Sequence, residues 1–184
     1  MPANPFASLE PIQTTGSFPL TSSSTLLSLV HQPELLIRLN PLVESFNILP
    51  SSPSLPTSDP SSSPVTYTIT DKIPILFGLW STRTSYTARF TPKPDGMLVL
   101  VEAAMGVRTR SEWIVSSGAG GGATEVTEKS EVDIVGGSMF ASVMRGFVEG
   151  QIKSSHGVLM ERLREQVRQK DQEGQESTSK PWSE

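Results

Sequence analysis

One segment near the C-terminal end constrains the fold more than any other. Between Ser138 and Lys170, Phe140, Met144, Phe147, Val148, Ile152, Leu159, Leu163 and Val167 recur at helical spacing. That spacing puts a single apolar stripe along one long helix. From Tyr67 to Ile134 the pattern changes to the alternation of strands. A helix with one apolar stripe and strands with one apolar face must bury these surfaces on each other.

The strands are legible from their alternation. VTYTITD sets Val65, Tyr67 and Ile69 on one face and threonines on the other. LWSTRTSYTARF sets Trp80, Tyr86, Ala88 and Phe90 on one face and Arg83 and Arg89 on the other. TPKPDG reads as a turn, with Asp95-Gly96 at its tip. MLVLVEAA is apolar on both faces and is expected at the centre of the sheet. VRTRSEWIV places Val107, Thr109, Ser111, Trp113 and Val115 together. In ATEVTEKSEVDIV the inner face is Val126, Glu128, Ser130, Val132 and Ile134, and the outer face is wholly polar. Gly136-Gly137 then breaks the strand.

Before this run, IQTTGSF is expected to form a first strand. SSTLLSLVH follows as a short helix, with N-cap candidates from Thr21 to Ser24. PELLIRLNPLV is a second helix, with Pro33 in its first turn and Asn40-Pro41 ending it. VESFNIL, Val43 to Leu49, reads as a strand anchored by Val43 and Ile48. Residues 1–10 are expected to be a loose arm, 50–64 a mobile Pro/Ser loop and 171–184 a disordered tail. One domain from 11 to 170 remains.

Composition removes several function classes. The net charge is -4, with no basic stripe of the kind a phosphate backbone needs, so nucleic acid is not an expected partner. Cysteine is absent, which excludes disulfides and thiolate chemistry. The N-terminal residues lack the charged and apolar regions of a signal peptide. No apolar run reaches the roughly 20 residues of a membrane span. A soluble cytoplasmic protein is the expectation.

The element order is strand, two short helices, about six antiparallel strands and one long helix. This predicts an α+β helix-grip fold, a curved sheet of about seven strands around the C-terminal helix. The opening IQTTGSFPLTSSSTLLSLVHQPELLIRLNP, the runs YTITDKIP and YTARFTPKPDG, and the helix FVEGQIKSSHGVLMERL carry a resemblance. Across Pro11 to Lys170 the chain resembles the START-like superfamily, also called the polyketide cyclase (SRPBCC) or Bet v 1-type superfamily. It looks most like a branch of unassigned function common in filamentous fungi. The resemblance implies a hydrophobic small molecule held between sheet and helix. Some members carry or sense that molecule, and others cyclise, dehydrate or isomerise it without a cofactor.

Within that frame the candidate residues are few. Glu128 is the one ionisable group on the inner face of its strand. Desolvation would raise its pKa and suit it to acid or base work, unless a bulge turns it outward. His156 lies on the long helix and could act as a base at the cavity mouth. Tyr67, Trp80, Tyr86 and Trp113 are expected to face the helix, as pocket wall or as plain aromatic core. Phe140, Met144 and Phe147 would close the wall from the helix side. Asp71 shares the parity of Tyr67 but precedes Ile73-Pro74, where a turn-capping role is expected. Gly146 and Gly150 would clear one helix face for a strand or a ligand. The basic helix end ERLREQVRQK reads as a solvated face. GAGGG, Gly118 to Gly122, precedes a strand and not a helix, so it reads as a loop and not a phosphate cradle. No metal-ligand spacing or nucleophile elbow is present. Three functions fit: a binder of a lipid or polyketide-like metabolite, a cyclase, dehydratase or isomerase using Glu128 or His156, and an interaction module with a filled core.

Overall fold

A computed structural model describes residues 11–19, 21–50, 63–75, 80–118, 123–134, 150, 152–153 and 156–170. The order is β1 (Ile12–Pro19), α1 (Ser23–Val30), α2 (Pro33–Leu39), β2 (Val43–Leu49), β3 (Val65–Ile75), β4 (Trp80–Lys93), β5 (Gly96–Glu102), β6 (Val107–Ser117) and β7 (Ala123–Ile134). A last helix, α3, covers 156–170. The expected arm, the tail, most of the Pro/Ser loop and the helix segment holding Phe140, Met144, Gly146 and Phe147 lie outside the described residues. So do residues 119–122 of the glycine run.

The sheet has seven strands in the order β1-β7-β6-β5-β4-β3-β2, and every neighbouring pair is antiparallel. It curves around α3 as a helix-grip fold. β5, apolar on both faces, is the middle strand, as its pattern requires. Ser22 caps α1 by accepting the Thr25 N–H, and Pro33 starts α2. Gly96 starts β5 after the turn, where a Cβ would strike the Trp113 carbonyl oxygen. His31 ends α1 and places Nε2 2.9 Å from the carbonyl oxygens of both Lys93 and Gly96, tying the helix to this hairpin.

α3 buries Leu159, Met160, Leu163 and Val167 in one core with Phe18, Leu26, Leu29, Ile69 and Phe90. A fully buried leucine such as Leu163 contributes about 1.5–3 kcal/mol. Arg162 is not part of a solvated face. Its guanidinium donates to the Leu39 carbonyl 3.2 Å away and so caps the C-terminus of α2. Gly150 does not mark a close approach either, because no described residue lies within 4 Å of a Cβ built on it.

Two strand expectations are corrected. Ile48 is no anchor and is 58% exposed, because β2 is an edge strand. A register shift between Val43 and Ser45 brings Phe46 inward, and it packs edge-on against Tyr67. β3 does not end at Ile73-Pro74. β2 pairs with β3 only as far as Asp71, so beyond it β3 has β4 as its one partner strand, where a proline is tolerated. Asp71 is therefore an in-strand residue of the inner face and not a turn cap.

Candidate functional site

Strand register assembles the site. Thr14, Glu128 and Trp113 form one row across β1, β7 and β6. Ile12, Ser130 and Ser111 form the adjacent row. α3 sets His156 over both rows in phase with Leu159, Met160 and Leu163, and its side chain is only 3% exposed. Its Nδ1 lies 3.0 Å from Thr14 Oγ1. Its Nε2 lies 3.4 Å from Glu128 Oε1 and 3.4 Å from Ser130 Oγ. Ser130 Oγ is in turn 2.7 Å from Ser111 Oγ. The two residues nominated separately from the sequence are thus brought together.

Burial sets their protonation. It pushes the Glu128 carboxyl up, to about 8, and the His156 imidazole down, to about 4. A charged pair would need a charge-assisted bond of about 2.7–2.9 Å. The 3.4 Å separation and the unpartnered Oε2 of Glu128 argue for the neutral pair.

A second polar group stands on the inner face. The Tyr86 hydroxyl donates to both carboxylate oxygens of Asp71, at 3.2 and 3.1 Å. Burial raises the Asp71 pKa, and hydrogen bonds from Tyr86 and Asn40 oppose that rise. The Tyr86 hydroxyl is itself held well above its ordinary value by burial and by Asp71. Asn40 also accepts the Leu42 N–H at 3.0 Å, so the end of α2 holds this group in place.

Between the two groups lies a cavity of about 110 Å³. Apolar side chains of α2, β3, β4, β5 and α3 line it, among them Leu36, Ile69, Phe90, Val99 and Leu159. Tyr86, Asn40, Ser111, Trp113 and Glu128 add the polar atoms. Of the expected wall residues, Tyr86 and Trp113 line this cavity. Tyr67 instead sits in the aromatic core, edge-on to Phe46 and Phe90 at 6.0 and 5.6 Å. Trp80 begins β4, and its side chain is outside the described residues. Asp71, Asn40, Thr14 and Ser111 were not nominated. The inward parities of Asp71 with Tyr67 and of Ser111 with Trp113 were the usable signals for this set. Among the described residues no group of three or more His, Cys, Asp or Glu could hold a metal ion, and no helix is long and apolar enough to cross a membrane.

The neutral pair predicts a pH signature. The folded Glu128 pKa is above its unfolded 4.5, so its contribution to stability is lost as pH rises toward about 8. The folded His156 pKa is below 6.5, so its contribution is gained as pH rises from about 4 to 6.5. The two oppose each other up to pH 6.5. Above that, of the two, only Glu128 titrates, and stability should fall by roughly 1 kcal/mol per pH unit until pH 8. Urea unfolding at pH 6.5 and 8 should show this fall in the native protein and its loss in Glu128→Gln. Equal falls in both proteins would contradict the assignment.

Residues 14–169 match the family described as "Domain of unknown function (DUF7053)". No curated protein matches significantly in sequence. The fold is similar to the Zhui aromatase/cyclase from Streptomyces sp. R1128, with a TM-score of 0.64 and 8% identity over 86% of this chain and 93% of that one. It is similar to a Thermus thermophilus protein, TTHA0849, with a TM-score of 0.59 and 12% identity over 86% and 97%. A START superfamily protein from Mycobacterium smegmatis aligns with a TM-score of 0.51 and 14% identity over 86% and 97%. At these identities the likeness concerns the fold. The chain has the START-like helix-grip fold and belongs to the DUF7053 family.

Proposed function

We propose that this protein binds a small hydrophobic molecule in the cavity between its sheet and α3. The observation that carries the proposal is that cavity of about 110 Å³ lined by core side chains, with the buried Glu128 in its wall. Protein interiors leave few voids larger than a water molecule. An engineered apolar cavity of about 150 Å³ takes up benzene. The volume here therefore suits one small ring, or the ring end of a larger molecule. Sites that enclose drug-sized ligands measure about 300–1,000 Å³. The ligand class proposed is a lipid or a polyketide-like secondary metabolite, in a domain spanning 11–170 of a cytoplasmic, fungal protein. The description of one fold relative as an aromatase/cyclase accords with that class.

Native mass spectrometry of the protein purified from its own cells tests this. The native protein should carry a small-molecule adduct. Ala88→Leu, which fills the cavity from a wall residue that is 1% exposed, should lose it and still melt within a few degrees of the native protein. Adducts on both proteins, or on neither, would overturn the proposal.

The contact between Glu128 and His156 beside the cavity favours a second reading, a cofactor-free cyclase, dehydratase or isomerase. An acid and a base side by side next to a bound substrate can move a proton between two of its positions. Under this reading Glu128→Gln keeps ligand affinity and lowers turnover by at least about 100-fold. Equal turnover in the variant would remove Glu128 from the chemistry.

A further inference from the structure

Among the described residues, one carboxyl oxygen in the core has no partner. Glu128 is 5% exposed, its Oε1 faces His156 Nε2, and its Oε2 makes no hydrogen bond. A buried polar atom left unpaired costs about 1–3 kcal/mol. Glu128 also lines the cavity, next to Trp113 and Ser111. A group in that position can gain its partner from whatever fills the cavity.

The network decides what that partner must be. Thr14 Oγ1 is 3.0 Å from His156 Nδ1, the one short bond to the imidazole among the described residues. Nε2 lies 3.4 Å from both Glu128 Oε1 and Ser130 Oγ. Two equal, long separations fit a single N–H shared between two acceptors. An O–H bond from Oε1 to Nε2 would need roughly 2.5–3.2 Å. The consistent arrangement has the Thr14 hydroxyl donating to Nδ1 and Nε2–H shared by Oε1 and Ser130. The carboxyl proton then sits on Oε2. No lysine or arginine lines the cavity among the described residues to hold an anion there. Of the other titratable groups of the inner face, Tyr86 and Asp71 are committed to each other, and Tyr67 packs in the aromatic core against Phe46 and Phe90.

We infer that the ligand is a neutral molecule with a ketone-type carbonyl on a small ring, that its oxygen accepts a hydrogen bond from Glu128 Oε2, and that carboxylates and phosphates are excluded. This rests on the proposal that the cavity is a ligand site. Burial, which keeps Glu128 protonated at neutral pH, supports it.

NMR titration at pH 6.5 with three probes of one shape tests it: cyclohexanone, methylenecyclohexane and cyclohexanecarboxylate. Glu128→Leu should weaken cyclohexanone about tenfold relative to methylenecyclohexane, the loss expected for one hydrogen bond. Glu128→Gln, whose amide N–H can donate, should keep cyclohexanone affinity within about threefold. Cyclohexanecarboxylate should not bind. Binding of methylenecyclohexane to Glu128→Leu reports that the variant is folded. Equal changes for both neutral probes, or carboxylate binding as tight as ketone binding, would overturn the inference and leave the ligand site standing. Failure of both neutral probes to bind the native protein would overturn the ligand site and the inference together.

Discussion

When α3 lies across the sheet, His156 leaves water in the same stripe as Leu159, Met160, Leu163 and Val167, and the group it meets is Glu128. Four buried apolar side chains contribute about 1.5–3 kcal/mol each. One unpaired carboxyl oxygen costs about 1–3 kcal/mol. The stripe therefore outweighs the penalty, and the helix holds the polar pair in place. Docking of α3 also completes one wall of the cavity, through Leu159. Packing, protonation and the shape of the site follow from one contact between helix and sheet.

The same contact explains why the pair stays neutral. Removing two charges from water costs several kcal/mol per ion, and attraction offsets this only in good geometry. At 3.4 Å, with one oxygen unpaired, the geometry is poor for an ion pair. Tyr86 and Asp71 solve the corresponding problem differently, because there the hydroxyl reaches both oxygens. The inner face thus carries one carboxyl with both oxygens engaged and one with a free oxygen. Both groups border one cavity, through Tyr86 and Glu128, and the difference between them gives it a direction.

Much of the fold was legible because strand alternation and helical spacing are local. The inner parity of Glu128, Ser130 and Trp113, the central place of β5 and the order of elements all followed from period and turn residues. The pairing of Glu128 with His156 was not legible. It depends on how β1, β7 and β6 are registered and on where α3 crosses them, neither of which leaves a local trace. His156 does fall in phase with Ile152 and Leu159, a signal that its side chain would be buried. Asp71 was misplaced because a proline usually ends a strand, and here β2 stops short enough that the proline pairs on one side only, with β4. Ile48 was misplaced because an edge strand exposes residues that the same parity would bury at the centre. Phe140, Met144 and Phe147 lie outside the described residues.

The protonation of Glu128 is the point on which the chemistry of the cavity turns. It can be observed directly by labelling the glutamate carboxyl carbons with 13C and following their NMR shifts with pH. A neutral pair requires the Glu128 signal to stay at the position of a protonated acid through pH 6 and to move with a midpoint near 8. A midpoint near the ordinary 4.5 would mean that the buried carboxyl is ionised at neutral pH, contradicting the neutral pair and the ligand chemistry drawn from it.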